Sequence, residues 1–147
     1  MIDTLQEERP TLQPDSSAFV AEPELINALE TRSTVLACNS DRLLFNQDDP
    51  AVGVYIVHHG AATLTMSARD GQRIFSIAAM PGSLLGLPAL ISNQPYSLTA
   101  IAHAGAKVSF VSRVDFFKLV QADPLLSLKM LQVLAAEVRT ARQALSH

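Results

Sequence analysis

The sequence predicts a mainly β domain, an antiparallel sandwich or barrel, flanked by short helices and closed by one long helix. Three observations carry this. From Thr34 onward, short apolar runs are separated at close intervals by Gly, Pro, Asn and Asp. Many of the runs alternate, as in "KVSF", where Val108 and Phe110 share one face and Lys107 and Ser109 the other. After Arg113 the period becomes helical.

A chain of 147 residues with 48% hydrophobic residues is long and apolar enough for one domain with a core. Its formal net charge is −3, and its basic residues are scattered, with Arg69 and Arg73 near one turn and Lys129, Arg139 and Arg142 in the last segment. No basic element suited to gripping nucleic acid emerges, so no nucleic-acid contact is expected from this chain alone. The lone cysteine, Cys38, excludes an internal disulfide and any four-cysteine iron–sulfur or zinc site within the chain. It reads as a small core residue. The polar start "MIDTLQEERP" lacks the basic-then-apolar pattern of a signal peptide, and no apolar run approaches the ~18 residues of a membrane span. The expectation is a soluble, cytoplasmic protein without membrane contact.

Residues 1–20 are punctuated by Pro10, Pro14, Asp15, Ser16 and Ser17 and read as a flexible segment. Residues 21–123 form the β domain with its short flanking helices. "PELINALETRS" places Leu25, Ile26 and Leu29 at helical spacing. The strand candidates are "TVLACN", "RLLFNQ", "VGVYIVHHG", "AATLTMSA", "QRIFSIAAM", "SLTAIAH" and "KVSFVSR". Within "ARDGQ", Asp-Gly supplies the positive φ of a tight hairpin turn. "VDFFKLVQAD" reads as a helix ending before Pro124, anchored by Phe116 or Phe117. Residues 124–147 read as one helix of roughly 36 Å with proline in its first turn. Leu131, Leu134, Val138, Ala141 and Leu145 recur at three- and four-residue steps, a seam suited to homodimerisation. Leu125 and Leu128 belong to a neighbouring face expected to pack on the sandwich. Met66, Met80 and Met130 read as core.

In the middle of the strands stands "GLPALISNQPYSLTA". Gly86, Ala89, Leu90, Pro95 and Thr99 keep the register of G-E-x-A-L-x-x-x-x-P-R-x-A-T, which resembles the phosphate-binding cassette of the cyclic nucleotide-binding domain of Crp/Fnr transcription regulators. "LFNQDDPAVGVYIVHHG" is similar to that family's L-F-x-x-G-D-x-x-x-x-x-Y-I-V-x-x-G, and "PGSLLG" to its P-G-D-x-x-G. "SRVDFFKLVQADPLL" resembles the stretch that enters the family's dimerisation helix. The resemblance implies a double-stranded β-helix, or jelly roll, followed by a dimerisation helix. It also implies an arginine on the cyclic phosphate and a glutamate on the ribose 2′-hydroxyl. Here those two positions hold Tyr96 and Leu87. A guanidinium–phosphate pair is among the stronger polar contacts a protein makes, and neither replacement can supply it or its ribose counterpart. The candidate ligand-binding residues are therefore Gly86, Leu87, Ala89, Leu90, Tyr96, Ser97 and Thr99, with Thr140, Ala141 and Arg142 reaching from the long helix, for an unknown effector less polar than a nucleotide.

Other chemistry finds little support. His58 and His59 are adjacent on a strand and point to opposite faces, so with His103 they make no metal site, and one buried and one solvated histidine are expected. No haem or other cofactor is indicated. No G-x-S-x-G elbow or paired carboxylates suggest an enzyme. Asp48, Asp49 and Asp70 fall in turns, where aspartate serves the backbone. The chain reads as a Crp/Fnr-like sensor domain that does not bind cAMP in the usual way. It signals through its dimerisation helix, and any DNA-reading helix-turn-helix lies outside it. The alternatives are a genuine cyclic nucleotide-binding domain and a ligand-free dimerising scaffold.

Overall fold

The computed structural model describes the backbone of residues 19–145 and side chains as far as Arg139. Residues 1–18, and with them nearly all of the segment expected to be flexible, lie outside the described residues. That segment ends earlier than anticipated. The Phe19 ring is buried in the roll and Val20 bridges to Ser83, so the chain is packed before residue 21.

The order of elements is α1 (Pro23–Glu30), β1 (Thr34–Leu36), β2 (Arg42–Phe45), β3 (Gly53–His59), β4 (Ala62–Ser67), β5 (Arg73–Ala79), β6 (Leu84–Leu85), α2 (Leu87–Ser92), β7 (Thr99–Ala102), β8 (Lys107–Ser112), α3 (Arg113–Ala122) and α4 (Pro124–Leu145). The strands form two 4-stranded sheets, β1-β8-β3-β6 and β2-β7-β4-β5, antiparallel throughout. Two facing antiparallel sheets with crossing connections make the jelly roll that the cassette motif implied. The Asp-Gly turn closes the β4–β5 hairpin, with the Ala68 N–H donating to the Gln72 carbonyl at 2.8 Å.

Two apolar clusters share the wall between them. One fills the roll, where Phe45, Tyr55, Val57, Leu64 and Leu85 meet. The other lies outside the first sheet, where Val54, Ile56, Leu84 and Val111 meet Leu25, Leu29, Phe116, Leu126, Met130 and Val133 of the helices. Strand β3 therefore buries both faces, which explains why "VYIV" is a continuous apolar run and not an alternation. The same cover buries Ser109, whose hydroxyl pairs with His58 Nε2 at 2.8 Å, while His58 also reaches Glu30 at 3.2 Å. His59 is exposed, as anticipated.

Helix α3 is capped by the Ser112 hydroxyl, which accepts from the Asp115 N–H, and the buried Phe116 anchors it. The chain then bends by 119° between α3 and the long helix α4. Its inner face corrects one expectation. Leu126, Met130 and Val133 pack inward, whereas Leu125 and Leu128 are 70% and 58% exposed. The sharp turn at Asp123 sets the helix phase, placing Leu126 and not Leu125 against the sheet. Met80 is likewise not core but 45% exposed, because it leads into the turn before Gly82.

Candidate functional site

The cassette begins at Gly86, whose φ of 90° is left-handed and favours glycine. A Cβ there would lie 2.8 Å from Cε1 of Tyr96, so the close approach of the ring also requires a residue without a side chain. Helix α2 follows, with Pro88 in its first turn and Asn93 as a left-handed C-cap. The Asn93 side chain accepts from the Arg113 guanidinium at 3.0 Å, which ties the end of the cassette helix to the start of α3.

Tyr96 is the centre of the arrangement. Its ring is 2% exposed and stacks on Phe45 with centroids 3.9 Å apart. Its hydroxyl donates to the Gly53 carbonyl at 2.7 Å and accepts from the Val52 and Gly53 N–H groups at 3.2 and 3.3 Å. Its backbone pairs with the β2–β3 loop: the Tyr96 N–H donates to the Asp49 carbonyl and the Asp48 N–H to the Tyr96 carbonyl. Burial pushes the hydroxyl above the ordinary phenol range, so it stays neutral at physiological pH. The side chain thus fills the roll and satisfies backbone groups at the start of β3.

Beside it lies a cavity of about 30 Å³, lined among others by Gly86, Ala89, Tyr96, Ser97, Phe45 and Glu137. The anticipated cassette residues separate on this point. Gly86, Ala89, Tyr96 and Ser97 line the cavity together. Leu87 and Leu90 are fully buried on the opposite side of α2, in the cluster under the helices. Thr99 lies at a different, polar groove with Gln47, Asp48, Ser67 and Arg69, and its hydroxyl accepts from the Gln47 N–H at 2.9 Å. The side chains of Thr140, Ala141, Arg142 and Leu145 lie outside the described residues.

Sequence reasoning missed Glu137, Phe45, Leu64 and Phe19 at the cavity. For Glu137 a signal was present. Leu126, Met130, Val133 and Glu137 follow one another at steps of four, three and four, so the inward face of α4 ends on a carboxyl. Oε2 of Glu137 is buried with no hydrogen-bond partner among the described residues, and desolvation pushes the carboxyl pKa up to about 8. The outward face of α4 carries Leu131 and Val138, 60% and 54% exposed, with Leu134 half-buried; together with Ala135 and Arg139 they line a shallow groove. No group of three His, Cys, Asp or Glu side chains among the described residues converges as a metal site would.

An antiparallel roll, a left-handed glycine opening a short helix inside it and a long helix across its mouth define a cyclic nucleotide-binding fold. Residues 36–123 match the cyclic nucleotide-binding domain family, and the chain belongs to that family. It is 30% identical over 100 residues to the HTH-type transcriptional regulator Cmr of Mycobacterium tuberculosis (strain CDC 1551 / Oshkosh), a match covering 68% of this chain and 41% of that protein. The Thermus thermophilus catabolite activator protein superposes with a TM-score of 0.73 at 23% identity, over 85% of this chain and 59% of that one. The sensor domain of the transcriptional regulator DNR from Pseudomonas aeruginosa gives a TM-score of 0.63 at 18% identity, covering 82% of this chain and 81% of that one. The chain spans less than two thirds of Cmr and of the activator protein. Its relatives are Crp/Fnr-type regulators, the family that the cassette motifs resembled. Among the described residues no single helix is long and apolar enough to cross a membrane.

Proposed function

We propose that this chain is the sensor part of an HTH-type, Crp/Fnr-like transcription regulator, that it does not take cAMP in the usual way, and that it signals as a homodimer through α4. It acts as a cytoplasmic regulator and not as an enzyme. The observation that carries this reading is Tyr96. The ring stands where the family places its phosphate-pairing arginine, and its hydroxyl is already committed to Val52 and Gly53. The same cavity presents Glu137 and no cationic side chain among its described lining residues, which disfavours a phosphate. Ala89, Ser97 and Gly86 contribute the rest of the wall, with Leu87 and Leu90 holding α2 from behind. Thr140, Ala141 and Arg142 are the next α4 residues of the proposed site. The exposed Leu131 and Val138 support a partner helix on the outer face.

Thermal unfolding with added cyclic nucleotides tests the ligand part. A ligand at about 100 times its Kd adds roughly 2.7 kcal/mol. No saturable shift with cAMP or cGMP is expected, and a clear shift at micromolar cAMP would overturn the reading. Sedimentation tests the rest: a dimer is expected, and Leu131→Glu with Val138→Glu should dissociate it. The small volume of the cavity favours a second reading, a dimerising scaffold that takes no ligand; silence across a broad metabolite panel would select it.

A further inference from the structure

The cavity inside the roll contains a group that an anion site excludes. Glu137 reaches it from the inner face of α4, and one oxygen of its carboxyl is buried with no partner among the described residues. Among the described residues it is the only carboxyl in the lining, no cationic side chain joins it, and the walls include the aromatic rings of Phe19, Phe45 and Tyr96. A carboxyl set beside aromatic side chains suits an organic ammonium ion. The carboxylate accepts from its N–H groups, and the ring quadrupoles attract the positive charge that remains. An anionic ligand gains no charge pairing here, and an acceptor gains at most the single O–H of the protonated carboxyl.

We propose that the cavity receives the head group of a small alkylammonium-type cation, with Glu137 as its counter-ion. This rests on reading the roll as a sensor and names the class of its effector. At about 30 Å³ the cavity has room for an ammonium group and little more, and Glu137, which would pair with that group, is the described lining residue that α4 contributes. Binding is thereby coupled to the helix that carries the dimer seam. Because burial holds a proton on Glu137 up to about pH 8, binding at neutral pH releases that proton to the buffer. The other titratable group in the described lining, Tyr96, stays neutral over this range.

The experiment compares n-butylammonium, n-butanol and butyrate, a cation, a neutral molecule and an anion of similar shape. Each is titrated into the whole chain at constant ionic strength while the melting temperature is followed. Butylammonium is expected to give a saturable rise, stronger at about pH 8 than at about pH 6. Butanol should bind at least about tenfold more weakly and butyrate not at all. Glu137→Gln should abolish the preference for the cation, and Glu137→Met provides a second variant if the amide folds poorly. An equal response to cation and alcohol, a preference that survives both substitutions, or no response to any of the three overturns the proposal. Cyclic AMP titrated in parallel keeps the two readings apart: tight cAMP binding defeats the sensor reading above, whereas failure of butylammonium alone leaves that reading intact.

Discussion

The two cassette positions that depart from the family motif, Leu87 and Tyr96, turn their side chains into different cores. At the N-terminal end, Leu87 turns away from the cavity and is fully buried among Val54, Leu84, Leu90 and the helices. At the C-terminal end, Tyr96 turns into the roll, stacks on Phe45 and bonds to the start of β3. One change extends the outer core, and the other fills the inner one. The difference teaches that the two exchanged positions serve two different cores. A site that had merely lost its polar groups would leave turn amides facing an empty space. Here the space holds a ring, and backbone groups nearby hold its hydroxyl.

The sharpest way to break the comparison is to restore the family's residue at the N-terminal end. Leu87→Glu places a carboxylate in the apolar cluster under α1, α3 and α4. Burying an unpaired charge there should cost more than about 4 kcal/mol or leave the protein unfolded, as read by urea denaturation. Leu87→Ala should cost about 2–5 kcal/mol from the cavity left behind. If Leu87→Glu is tolerated, the side chain swings into the roll and the two ends of the cassette are alike after all.

Glu137 gives the next largest effect, and it concerns the C-terminal end, whose cavity it shares. Its folded pKa of about 8 stands above the ordinary 4.5, so between those values the native state holds more protons than the unfolded one. Stability is therefore greatest at the acidic end of this window, falls as the pH rises through it, and levels off above about 8. The part of the slope due to this group should total a few kcal/mol and disappear in Glu137→Gln. A slope unchanged by the substitution would mean that the carboxyl is solvated and paired in solution.

Tyr96→Phe should be milder, at about 1–3 kcal/mol. The ring stays stacked on Phe45, but the Val52 and Gly53 groups lose their partner. A neutral outcome would show that water replaces the hydroxyl, and the C-terminal end would then be a more open site than its packing implies.

Much of this was legible in the residues, and what was not has a physical cause. The antiparallel β class, the hairpin at Asp70-Gly71 and the placing of α3 follow from turn chemistry and period, which are local properties, whereas the jelly roll came with the family resemblance. The family followed from several motifs in the right order. The orientation of Leu87 was not legible, because a short helix beside two cores can direct a leucine to either. The role of Tyr96 was not legible either, since its hydroxyl is satisfied by backbone more than 40 residues away in sequence, as the 43-residue separation to Gly53 shows. The phase of α4 was misjudged for a related reason. Leucines occupy both of its faces, so periodicity marks two stripes without saying which one the sheet takes.

The smallest expected effect, at Leu128, lies on one of those two stripes. Met130 and Leu128 are neighbours on α4, the first buried against the sheet and the second more than half exposed. Met130→Ala should cost about 2–5 kcal/mol in urea, whereas Leu128→Ser should stay within about 0.5 kcal/mol. Such a pair separates packing within the protomer from packing between protomers, because only the first is independent of protein concentration. If Leu128→Ser is costly and its cost grows with protein concentration, the partner helix reaches further toward the start of α4 than Leu131 and Val138 alone suggest. The dimer seam would then begin within the first turn and a half after Pro124, close to where Lys129 pairs with Glu22 of the α1 cap. A ligand that displaced Glu137 would have to move the inner face of the same helix whose outer face carries the proposed dimer seam.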